Sequence, residues 1–91
     1  MTNDIIWDCE TYPNVFTLHA IHAHLPIEWS FEISDWRNDS SAIVQWVHWL
    51  KSLGARMVGF NSIAFDYPIL HALCRMGQAN ARTLYDKAQA I

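Results

Sequence analysis

The 91 residues suffice for one domain, at the lower end of the size range that buries a self-sufficient core. A hydrophobic fraction of 52%, with five Trp, three Tyr and four Phe against 16% charged residues, implies a dense core with apolar surface left over for a partner. The net charge of -3 argues against a free-standing electrostatic nucleic-acid binder, which needs a basic stripe, but not against an enzyme whose metal ions bring the positive charge.

The chain opens with "DIIWDC" (4–9), a short apolar run read as a central strand and ended by "TYPN", where Pro13 and Asn14 form a turn. Asp8 and Glu10 stand two apart at its end. Residues i and i+2 of a strand share a face, so the two carboxylates lie close together and call for a positive charge beside them. "VFTLHAIHA" (15–23) follows as a second strand, and His24-Leu25-Pro26 gives the next reversal. In "IEWSFEIS" (27–34) apolar Ile27, Trp29, Phe31 and Ile33 alternate with Glu28, Ser30, Glu32 and Ser34, the period of a strand with one wet face. The first third is therefore expected to be an antiparallel meander.

"DWRNDSS" supplies Asp39 and Ser41 as helix-capping candidates, and Ile43, Val44, Trp46, Val47, Trp49, Leu50 and Leu53 then keep helical spacing up to Gly54. "RMVGF" (56–60) reads as a short buried strand reached by a helical crossover, hence parallel to the first. A helix is expected from Tyr67-Pro68 to Gly77, and a weaker one in "ANARTLYDKAQA". The order β-β-β-α-β-α on one mixed sheet predicts an α/β fold, the first two-thirds of a ribonuclease H-like domain, incomplete at its C-terminal end. Cys9 and Cys74 share no metal-type spacing and, without a signal peptide, read as reduced cytosolic thiols. No apolar run approaches the roughly 20 residues that cross a bilayer, so a soluble, cytoplasmic protein is expected.

"WDCET" resembles the first motif, D-x-E-T, of the DEDD superfamily of 3′-5′ exonucleases, which includes the proofreading domains of DNA polymerases. "GFNSIAFDYPIL" is similar to its second motif, an Asn a few residues ahead of an aromatic-Asp pair, here Asn61, Phe65 and Asp66. The resemblance spans residues 4 to about 76 and is nearest in pattern to bacteriophage-type polymerases and exonucleases. It implies a two-metal phosphodiester hydrolase in which Asp8, Glu10 and Asp66 bind Mg²⁺ or Mn²⁺, Asp8 bridging the ions, while Thr11, Asn61 and Phe65 contact the 3′ end of single-stranded DNA.

The same residues admit structural roles: Asp8 and Glu10 as strand-end and turn residues, Asp66 as a helix cap ahead of Pro68, Phe65 as a staple on Ile69 or Leu70, and Asn61 as a turn residue. His19, His22 and His24 form H-x-x-H-x-H, which reads as a partly exposed strand end rather than a metal site. The tryptophans are read mostly as packing.

The third motif that the family needs, a Tyr or His four or five residues before a final Asp, has no match: after Asp66 the only acidic residue is Asp86, with Arg at position 82 and Ala at 81. The expectation is a fragment or remnant of an exonuclease domain that is inactive alone, or one completed by a second chain. The alternative is a small phage protein that uses an exonuclease-like scaffold to bind or inhibit a protein partner. In either case the strand "RMVGF" lacks an outer neighbour, so a homodimer or a heteromeric contact through that edge is expected.

Overall fold

The computed structural model of the chain describes residues 3–59 and 67–89. In chain order the elements are β1 (Asp4–Tyr12), β2 (Val15–His22), β3 (Glu28–Ser34), α1 (Ser40–Ser52), β4 (Arg56–Gly59), α2 (Tyr67–Met76) and α3 (Ala81–Gln89). The fold is α/β, with a four-stranded mixed sheet in the order β3-β2-β1-β4. β1, β2 and β3 form the expected antiparallel meander, and β4 lies parallel to β1.

β1 is longer than the apolar run implied. Thr11 and Tyr12, both good strand formers, continue the ladder to a two-residue turn at Pro13-Asn14, and Tyr12 pairs with Val15. Asp8 and Glu10 therefore stand inside the hairpin, opposite His19 and Thr17, rather than at its tip.

One face of the sheet makes the core. Ile5, Trp7 and Cys9 of β1, and Phe16, Leu18 and Ala20 of β2, join buried side chains of all three helices in one cluster. Over β3, Trp46 of α1 packs its ring at 5.6 Å from that of Trp29 and 5.4 Å from that of Phe31. α3 lies across β1 and β2 and against α2. With the helices all on this side, the second face of the sheet is open among the described residues. Ile27 falls just before β3 and is exposed, because the strand begins one residue later than the alternation suggested.

Both expected helix stops are present. Gly54 and Gly77 follow α1 and α2 with φ of 68° and 75°, and their N–H groups donate to the carbonyls of Lys51 and Leu73. The start of α1 differs from expectation. Asp39 occupies the cap position without capping. Its carboxylate instead accepts the backbone N–H of Glu32 at 2.9 Å and pairs with Arg37 at 2.6 Å, so it ties β3 to the helix entry. Asn38 takes over, accepting from the N–H and hydroxyl of Ser40, while Ser41 lies within the helix. No helix among the described residues is long and apolar enough to cross a membrane.

Candidate functional site

Alternation along β1 assigns its side chains to two faces. Ile5, Trp7 and Cys9 point into the core, so Asp4, Ile6, Asp8 and Glu10 occupy the open face. The register extends this face across the sheet: Asp8 lies in a row with His19 and Ser30, and Glu10 in a row with Thr17 and Glu32. Glu28 approaches His19 at 3.6 Å, and Ser34 donates its hydroxyl to Glu32 at 2.7 Å. Glu28, Glu32 and His19 thus join the two motif carboxylates on one surface. The period-2 pattern of "IEWSFEIS" already puts Glu28 and Glu32 on one strand face, but only the strand pairing places them beside β1.

Asp8 and Glu10 are exposed, and neither has a Lys or Arg partner within 4.0 Å among the described residues. Two residues apart on a strand they are separated by about 6.7 Å. At that spacing in water the repulsion amounts to only about 0.6 kcal/mol. Solvent screening makes the pair tolerable without a Lys or Arg beside it among the described residues. Further along this face Arg56 pairs with Asp4, bidentate at 2.8 and 3.2 Å, and joins β4 to β1 at the register position where the two residues face each other.

Tyr12 donates its hydroxyl to Glu10 at 3.2 Å, and the adjacent negative charge, more than the hydrogen bond, raises the pKa of the phenol. Thr11 shares the core-side register with Phe16, so its side chain does not join Asp8 and Glu10. Asn61, Phe65 and Asp66 lie outside the described residues. Among the described residues no three His, Cys, Asp or Glu side chains are grouped to hold a metal ion.

The H-x-x-H-x-H run divides between the two faces. His19 is on the open face, whereas His22 is buried at the opposite one, its Nδ1 accepting the N–H groups of His24 and Leu25 at 3.0 and 3.1 Å. With Nδ1 engaged as an acceptor, Nε2 carries the hydrogen and donates to Asn3 Oδ1 at 3.1 Å. His22 therefore closes the β2–β3 turn. Among the tryptophans, Trp7 and Trp46 are buried and Trp49 is half exposed, while Trp36 is 94% exposed.

A second concavity lies between α1 and α2, a groove of about 720 Å³ lined by Val47, His48, Lys51, Pro68, His71, Cys74 and Arg75. Its His, Lys and Arg residues did not stand out in the sequence, because those of α1 and those of α2 come together only when the two helices pack side by side.

Comparison with protein families, with curated proteins and with solved structures returns no match for this chain.

Proposed function

We propose that these residues carry two of the three motifs of a metal-dependent 3′-5′ exonuclease domain of ribonuclease H-like fold. Asp8, Glu10 and Asp66 would hold Mg²⁺ or Mn²⁺, with Asn61 and Phe65 at the 3′ end of a DNA strand. The observation that carries this reading is the shared placement of Asp8 and Glu10. They project from the central strand onto an open face, without a cationic partner among the described residues, and β4 runs parallel beside that strand directly into the second motif. Exposed hard oxygen donors of this kind fit Mg²⁺ or Mn²⁺ better than zinc. When bound, such ions activate water and stabilise the leaving oxygen of a phosphodiester. Asp8 and Glu10 would fix the position of the ions on a rigid paired strand.

With no Tyr- or His-bearing third motif, the 91 residues alone are expected to hydrolyse DNA slowly, since a water-orienting group typically contributes about 10² or more. The reading is tested by adding Mn²⁺ and recording NMR spectra. Selective broadening of Asp8, Glu10 and Asp66, abolished in Asp8→Asn/Glu10→Gln, is expected. Uniform broadening, or none at millimolar metal, would overturn it.

One observation favours a second reading, a protein-binding scaffold. β4 pairs only with β1 among the described residues, its Val58 is 41% exposed, and α3 packs on the sheet face instead of covering this edge. A second copy adding its own β4 there would have to bury about 1,000 Å² or more to be stable. Sedimentation at micromolar concentration then shows a dimer that Val58→Lys weakens, and a monomer counts against this reading.

A further inference from the structure

Of the six Lys and Arg residues, three are neutralised by carboxylates: Arg37 by Asp39 at 2.6 Å, Arg56 by Asp4 at 2.8 Å and Arg82 by Asp86 at 3.1 Å. Lys51, Arg75 and Lys87 have no carboxylate within 4.0 Å among the described residues. Two of these three, Lys51 and Arg75, line the same groove between α1 and α2, and His48 and His71 line it with them. No Asp or Glu is among the described residues that line it.

The helical spacing explains the convergence. His48 and Lys51 are i and i+3 on α1, and His71, Cys74 and Arg75 are i, i+3 and i+4 on α2, so each helix turns one continuous stripe toward the other. Among the described residues, a chain of net charge -3 thus gathers in one concavity two cations that have no carboxylate within 4.0 Å, a local reversal of its overall sign.

We infer that this groove binds a nucleotide through its phosphate, either a free mononucleotide or one unit of a single strand. Arg75 offers the planar fork that matches phosphate oxygens, and Lys51 adds a point charge from the facing helix. The imidazole ring of His48 supplies a flat surface on which a base can stack. The volume of about 720 Å³ is within the range of small-molecule sites. Val47 and Pro68 add apolar lining. Burial raises the pKa of Cys74, so its thiol stays neutral beside a bound anion. The inference does not rest on the β1 carboxylates, since the groove is on the helical side of the sheet and Asp8 and Glu10 are on the other.

The test is an NMR titration of the full 91-residue chain with thymidine monophosphate, with an eight-nucleotide oligothymidylate and with inorganic phosphate, without added metal. Shift changes are expected at residues 47–51 and 68–75 for one or both nucleotide ligands, and whichever binds more tightly identifies the source. Lys51→Glu/Arg75→Glu should weaken that binding by about tenfold or more, because two charge-assisted contacts are lost. Lys87→Glu, on α3 and outside the groove lining, should leave it within about twofold, as expected for a charge outside the contact set. For the oligonucleotide, the double variant should reduce the slope of log K against log salt by about 0.7, the value for the one phosphate that the groove neutralises. Shift changes confined to residues 8–10, an undiminished affinity in the double variant, or inorganic phosphate binding as tightly as either nucleotide would each overturn the inference. The shift map of the unaltered chain decides the location even where a variant fails to fold.

Discussion

Leu84 is the residue on which the docking of α3 turns. The buried positions of this nine-residue helix are Ala81, Leu84 and Ala88, so a single large side chain, fully enclosed at 0% exposure, anchors it to β1 and β2. A helix so short is not stable in water by itself. Leu84→Ala removes the anchor and leaves a cavity between helix and sheet, which costs about 3 kcal/mol within the usual 2–5 kcal/mol range for such truncations. A chain of this size has a total stability of about 5–14 kcal/mol, so the loss is a large fraction of it. Each kcal/mol moves the melting temperature of a domain this small by about 4–8 °C, which puts the expected drop at about 12–24 °C. Circular dichroism during heating and urea titration measures both quantities. Cys9, buried on the face of β1 over which α3 lies, should also become more accessible to a thiol reagent. A loss below about 1 kcal/mol with an unchanged urea slope and no faster labelling of Cys9 would refute the reasoning, because Leu84 would then not be held in the core.

Three further outcomes are expected. Glu10→Gln should lower the titration of Tyr12 toward its ordinary value of 10.0, read as phenolate absorbance, since the Glu10 charge is the main cause of the raised pKa. A phenol with a raised pKa in the folded state contributes stability that is fully present below pH 10 and declines as pH rises above it, and the variant should lack that decline. His22→Ala should cost about 1–2 kcal/mol by leaving two backbone N–H groups without their acceptor, and zinc should not shift the melting temperature of the unaltered chain. Cys74, its pKa raised by burial, should react with a thiol reagent at pH 7 more slowly than free cysteine, with the rate climbing as pH rises.

Much of the architecture is legible one segment at a time. The alternation from Glu28 to Ser34, the helical spacing from Ile43 to Leu50 and the glycines at 54 and 77 each depend on neighbours a few residues away, and each is realised in the fold. The extension of β1 through Tyr12 and the diversion of Asp39 from capping α1 were not legible. The first depends on pairing with Val15 across the turn, and the second on a backbone N–H seven residues earlier in the chain.

For the candidate site, the sequence by itself determined that Asp8 and Glu10 share a strand face, since the two-residue period of a strand leaves no other arrangement. Only the tertiary structure decided which face that is. All three helices pack on the side of Trp7 and Cys9, so the carboxylates stand in solvent beside His19 and Glu32, and water screens a repulsion that burial would have made prohibitive. The groove of Lys51 and Arg75 is likewise a product of packing. Each residue is an ordinary exposed cation on its own helix, and they share one concavity because apolar faces elsewhere on α1 and α2 bring the two helices together.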